Sequence, residues 1–191
     1  MDTTNMFKKF DADEQVSGQA QLKSSATRAL RTAVCTQMPR FEPYVDDVVP
    51  KKARIFQVRL HNHYQLLCDE AGRVLFLQDR DGRLYPTLRL LHAYPFMLPW
   101  VQVDRGAIRH VLRGANVMCP GLTSPGGYVP PELAADQVVA VMAEGKARAL
   151  AVGRMLLSVA QVLQQNQGVA IENVHVLGDE IWKRERWSAS G

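Results

Sequence analysis

The sequence predicts an α+β protein in two parts. A mixed helix and antiparallel-sheet domain is expected over 1–97, and a small β-barrel with helices over 98–191. Three observations carry this reading. The first half combines helical apolar spacing with short alternating runs joined by tight turns, the pattern of hairpins rather than of strand–helix–strand units. The second half packs many short strand-like runs into few residues, as small barrels do. Between them, Tyr94-Pro95-Phe96-Met97-Leu98-Pro99 is apolar and bracketed by prolines. Prolines stiffen a connection and bias their neighbours to extended backbone, and an apolar linker implies halves that pack together.

In the first half, 16–37 reads as one helix. Leu22, Ala26, Leu30, Ala33 and Val34 share a face, with Ser17 as N-cap and Pro39 beyond the end,. A short helix follows over 42–49, with Pro43 in its first turn and Pro50 at its end,. Strands are expected over 54–60, 64–68 and 74–78. The turns Asp69-Glu70-Ala71-Gly72 and Asp79-Arg80-Asp81-Gly82 make them an antiparallel meander,. A helix over 87–94 carries Leu88, Leu90 and Leu91 behind Pro86.

The second half opens with a strand over 100–103 and a helix over 104–113 that Gly114 ends,. A strand over 116–119 runs into a Gly/Pro loop. Strands over 138–143 and 147–155 flank the turn Glu144-Gly145-Lys146,. Ser158-x-x-Gln161 has the form of a capping box and opens a helix that Gly168 ends,. Strands over 173–177 and 181–187 flank Gly178-Asp179.

Composition narrows function. The chain has 191 residues, 47% hydrophobic and 22% charged, which excludes a disordered polyelectrolyte,. Its net charge of +4 suits a polyanionic partner without requiring one,. Three scattered cysteines, Cys35, Cys68 and Cys119, make neither a disulfide framework nor a zinc knuckle, and point to a reducing cytoplasm,. The N-terminus has no secretory pattern, and the longest uncharged stretch, 114–131, is broken by glycines and prolines, so no membrane span is expected,.

The helix over 104–113 is the most informative element. Arg105, Arg109 and Arg113 recur at i, i+4 and i+8, and three guanidiniums in a row can engage successive phosphates,. A basic face can equally be mere solvated surface. The neighbouring loop tips the balance, because it is uncharged and glycine-rich, and its backbone can approach a nucleic acid closely. Gly106 and Ala107 in the first helical turn, with Pro120 and Gly121 in the loop, complete the expected RNA-contacting set. Lys8, Lys9, Lys51 and Lys52 form a second basic patch if they converge. His61-x-His63 lacks a third metal ligand, Cys119 lacks a base, and Glu144-Gly145-Lys146 is no phosphate loop, so no metal, cofactor or catalytic residue is expected,.

Val103-Asp104-Arg105-Gly106-Ala107-Ile108 and Gly114-Ala115-Asn116-Val117-Met118-Cys119-Pro120-Gly121 resemble the opening of a PUA domain. The likeness continues through 139–146 and 168–177 to Trp182. Met6-Phe7-Lys8-Lys9-Phe10, residues 38–52 and Tyr85-Pro86-Thr87-Leu88-Arg89-Leu90-Leu91-His92 extend it, so that 6–187 resembles the malignant T-cell-amplified sequence family. Residues 126–136 depart from the family pattern. The resemblance implies a PUA-type C-terminal barrel and a non-enzymatic translation factor. Such a factor pairs with density-regulated protein, which brings its own zinc, and acts on the small ribosomal subunit in tRNA release, recycling and reinitiation. It implies a PUA domain facing the tRNA acceptor end and an N-terminal domain contacting ribosomal RNA and the partner. A partner segment needs an apolar platform with a polar rim, and Phe7, Phe10 and the region 88–96 are expected to supply part of it,. The competing class is an RNA-modifying enzyme or its accessory subunit, since PUA domains are often fused to catalytic modules.

Overall fold

Two five-stranded sheets organise the chain, which a computed structural model describes over residues 6–61, 63–184 and 186–187. A 3-10 turn, Met6–Lys9, and α1 (Ala12–Gln15) lead into β1 (Val16–Gln21) and α2 (Ser24–Gln37). A second 3-10 helix, Pro39–Tyr44, runs into α3 (Val45–Val48). The meander β2 (Phe56–Leu60), β3 (Gln65–Cys68), β4 (Val74–Gln78) and β5 (Leu84–Pro86) then completes an antiparallel sheet in the order β1-β2-β3-β4-β5, and α4 (Leu88–Ala93) follows. Thr87 starts α4 by accepting the Leu90 N–H on its hydroxyl,.

The second sheet is curled into a half-barrel. Its members are β6 (Trp100–Val103), β7 (Val117–Met118), β8 (Val138–Ala143), β9 (Ala151–Met155) and β10 (Val169–Val176), in the order β6-β8-β9-β10-β7. Strand β6 lies parallel to β8, and the remaining pairs are antiparallel. Helices α5 (Arg105–Leu112) and α6 (Cys119–Thr123) lie between β6 and β8 in sequence, around β7. Helix α7 (Val159–Gln165) starts at the expected Ser158/Gln161 capping box, and α8 (Glu180–Lys183) follows β10.

Two expectations fail for physical reasons. Residues 16–21 are a strand, not the start of α2. Their backbone pairs with the otherwise open edge of β2, from Val16 opposite Leu60 to Gln21 opposite Phe56. Ser17 therefore caps nothing and instead donates its hydroxyl to the Arg59 carbonyl at 3.2 Å. Residues 181–187 are not a strand. Strand β10 already has β9 and β7 on its two edges, and Asp179 accepts the Trp182 N–H at 2.8 Å, which starts α8,. Smaller differences are of extent: β9 starts at Ala151, whereas β10 begins earlier, at Val169.

The two halves do not keep separate interiors. One core, built on Phe41, Ile55, Leu66, Phe76, Tyr85 and Leu88, also takes in Ala140, Ala149, Val152, Val174, Ile181 and Trp187 from the second half. The other core lies on the opposite face of the second sheet and draws only on that half, including Val101, Val111, Val141 and Ile171. Each fully buried Val or Ile is worth roughly 1.5–3 kcal/mol, so the shared side chains hold the halves firmly. A polar chain reinforces the contact. Asp136 accepts from Arg154 at 2.7 Å and lies 3.5 Å from Arg83, which itself pairs with Asp81 at 2.8 Å, while Arg154 also reaches Glu172 at 2.9 Å. His92 donates from Nε2 to the Ala149 carbonyl at 2.8 Å.

Met97 and Leu98, between the sheets, are buried in the shared core. Limited proteolysis is therefore expected to spare the bonds after Phe96 and Met97, and mass spectrometry of the fragments checks it. Early cutting there would mean that the halves separate readily.

Candidate nucleic-acid interface

Helix α5 forms because Asp104, in extended backbone, accepts the Ala107 N–H at 2.8 Å,. Val111 is buried and Ala107, Ile108 and Leu112 pack on the second core, which fixes the rotation of the helix. That rotation leaves Arg105, Gly106, Arg109, His110 and Arg113 exposed. At about 1.5 Å rise per residue, the three arginines step along one side roughly 6 Å apart.

They are not electrostatically equal. Glu144, in the β8–β9 turn, accepts the Arg105 backbone N–H at 3.1 Å, and its carboxylate lies 3.6 Å from the Arg105 guanidinium. The positive end of α5 thus already carries two carboxylates, Asp104 and Glu144, which is where a phosphate would otherwise sit. Arg109 and Arg113 have no carboxylate partner among the described residues, and Arg109 Nε lies 3.3 Å from Nε2 of His110. The basic face therefore offers side chains rather than a helix terminus to an anion, and Arg109 and Arg113 are its cations without a carboxylate partner among the described residues. Sequence reasoning missed both Glu144, read only as a turn residue, and His110.

The loop residues fall differently. Pro120 is exposed in the first turn of α6. Gly121 is buried, and a Cβ there would come within 3.2 Å of the Ala107 Cβ, so this glycine permits the close approach of α6 to α5,. Its carbonyl accepts the Asp104 N–H at 3.0 Å, which ties the loop to the cap. Gly121 and the half-buried Ala107 thus serve packing rather than an open contact surface.

The second basic patch is dispersed over different elements. Lys51 and Lys52 are exposed on the turn between α3 and β2, while Lys8 is half-buried on the 3-10 turn that packs against α8 and β10. The Lys9 side chain lies outside the described residues. Phe7 and Phe10 are buried, not displayed. Their rings lie 5.8 Å apart, Phe7 sits 5.9 Å from Tyr64 and Phe10 sits 6.0 Å from Trp187. They close the shared core, so the expectation that they face a partner is corrected.

Elsewhere, His61 and His63 are exposed, and no three His, Cys, Asp or Glu side chains gather to hold a metal among the described residues. Burial pushes the Cys119 thiol up and the Cys68 thiol up to about 12, the latter aided by Asp69, so neither is a ready nucleophile,. No local pattern marks the buried pair His175–Asp179, where the imidazole donates from Nδ1 to the carboxylate at 2.7 Å. Asp179 also accepts the Val176 N–H and caps α8, which makes the pair a joint between β10 and that helix. No described helix is long and apolar enough to cross a membrane.

Residues 10–95 match the Pre-PUA-like domain and residues 99–177 the PUA domain, an RNA-binding module. Solved structures share the fold: a hypothetical protein from Pyrococcus horikoshii OT3 (TM-score 0.69, 22% identity, 87% of this chain and 98% of that one) and a conserved PUA domain protein from Thermoplasma acidophilum (TM-score 0.59, 19% identity, 87% and 98%). Among curated proteins, the chain is 50% identical over 177 residues to malignant T-cell-amplified sequence 1-A of Xenopus laevis, covering 93% of this chain and 97% of the relative. It is 49% identical, with the same coverage, to malignant T-cell-amplified sequence 2 of Homo sapiens. The chain belongs to the malignant T-cell-amplified sequence family.

A packing role for Gly121 has a measurable consequence. Gly121→Val is expected to destabilise the fold by about 1–3 kcal/mol through overpacking against Ala107, read as a lower midpoint in urea denaturation. An unchanged midpoint would return Gly121 to the contact surface.

Proposed function

We propose that this chain is a non-enzymatic translation factor. It acts with density-regulated protein on the small ribosomal subunit, in the release of tRNA and in recycling and reinitiation, in the cytoplasm. Membership of the family supports the reading. The observation that carries it is the α5 face of the PUA domain, where Arg109 and Arg113 stand exposed without carboxylate partners among the described residues. Such a face grips phosphate and sugar with little reading of sequence, as a factor on ribosomal or transfer RNA requires. With Phe7 and Phe10 in the core, the partner surface of the N-terminal half lies on other residues.

Arg109→Ala with Arg113→Ala is expected to weaken binding to a tRNA acceptor-stem hairpin. Each lost phosphate contact lowers the slope of log affinity against log salt by roughly 0.7–0.9, so the double variant should lose about one to two units of slope. Far-UV circular dichroism should stay native, since neither side chain is on the apolar stripe. Full affinity with an unchanged slope would leave the arginines as solvated surface. In cell lysates, the parent chain should co-sediment with the small subunit and with density-regulated protein, and absence from both would overturn the proposed function.

A further inference from the structure

The second sheet has a face that α5 does not occupy. In the parallel β6–β8 ladder Trp100 lies opposite Ala140 and Gln102 opposite Met142, while Val101, Val103, Val139 and Val141 point to the second core. Ala140 is covered by the shared core. Towards the β6 edge that cover runs out: Met142 is half-buried and Trp100 is 46% exposed. What remains is a cleft of about 640 Å³ between β6, the end of α4 and the β8–β9 turn.

Its chemistry is specific. Trp100 packs against Tyr128 with ring centroids 5.0 Å apart, and each side chain is nearly half exposed. Phe96, also exposed, lines the cleft and is braced by Tyr44 at 4.9 Å. Arg40, Lys146 and Arg148 contribute three cations to the lining, and all are exposed. None of the three has a carboxylate partner among the described residues, and no acidic side chain lines the cleft. His92 at the cleft wall is held below the usual imidazole pKa by burial, against its hydrogen bond to Ala149, and Arg148 pushes the same way as burial.

We propose that this cleft is a second RNA site, which takes a single-stranded segment. Exposed aromatic side chains offer stacking to unpaired bases, and the three cations of the lining hold the phosphates between them, the combination by which single strands are bound without sequence reading,. A duplex has its bases already stacked and presents no free faces to Trp100 or Phe96. An acidic peptide would use the cations but leave the aromatic faces without partners. The volume lies within the range of well-formed small-ligand sites, roughly 300–1,000 Å³, and holds a nucleobase with its sugar. The site rests on the reading of the chain as RNA-binding, but it uses none of the α5 residues and lies on the other face of the sheet.

The test uses the full chain and two labelled probes, a non-self-complementary single-stranded RNA octamer and a blunt acceptor-stem hairpin closed by a non-nucleotide linker, with binding read by fluorescence anisotropy. Trp100→Ala should weaken the octamer roughly five- to hundredfold, the range for loss of one base–aromatic stack, while leaving the hairpin unchanged. Trp100→Phe should restore most of the octamer affinity. Arg40→Ala with Lys146→Ala and Arg148→Ala should lower the octamer's salt slope by about two, at roughly 0.7 per single-strand phosphate. The Arg109→Ala, Arg113→Ala chain should bind the hairpin more weakly and keep its octamer affinity, so a failure of the α5 site shows in the hairpin arm alone. Equal octamer affinity in the parent and Trp100→Ala chains overturns the proposal. So does a polyglutamate peptide that binds in a Trp100-dependent way while the octamer does not.

Discussion

The shared apolar core is the constraint on which the rest of the structure depends. The second sheet is buried on both faces through its middle. Its own core lies on one side, and Ala140, Val152 and Val174 meet the first half on the other. A curled sheet of five short strands has little apolar surface of its own to spend, and a domain of this size gains stability quickly from such added burial. The contact fixes which parts of the sheet stay free. The outer side of α5 and the β6 edge lie outside that contact, and both candidate RNA surfaces lie there. The prolines at 95 and 99 hold Met97 and Leu98 in the seam between the halves, which makes the linker part of the interior.

Electrostatics then divides the labour within the α5 surface. A helix start is a ready-made anion site, yet here Asp104 and Glu144 fill it,. Glu144 comes from the β8–β9 turn, so the same ion that partly neutralises Arg105 also anchors α5 to the sheet. The cost is anion affinity at the first turn, and the gain is a rigid platform for Arg109 and Arg113 further along. The close approach of Gly121 to Ala107 works to the same end, by locking the loop beneath the helix.

Much of the fold was legible because it follows local rules. The meander, α4, β6, α5 and the Ser158/Gln161 capping box were all specified by turn residues, periodicity and caps close in sequence. The failures came where distant chain decided the outcome. Nothing near Val16 shows that the edge of β2 is open, and nothing near Ile181 shows that both edges of β10 are taken. The candidate site was legible in the arginine spacing and opaque in its charges. The Glu144–Arg105 pair spans the β6–β8 crossover, and the cleft at Trp100 is assembled from the 3-10 helix at Arg40, the linker and the β8–β9 turn. Phe7 and Phe10 were misjudged for a similar reason. A terminal aromatic pair looks exposed in a sequence, and only the fold supplies Tyr64 and Trp187 to bury it.

If the shared core is the organising constraint, the two halves form one cooperative unit. Native-state hydrogen exchange measures this most directly, through the amides of Leu66 and Leu77 in the first sheet and of Val141 and Val152 in the second. The account predicts that the slowest of these exchange with a common opening free energy and a common denaturant dependence. Second-sheet amides that stay protected after the first sheet has opened would contradict it, since each half would then be holding its own fold.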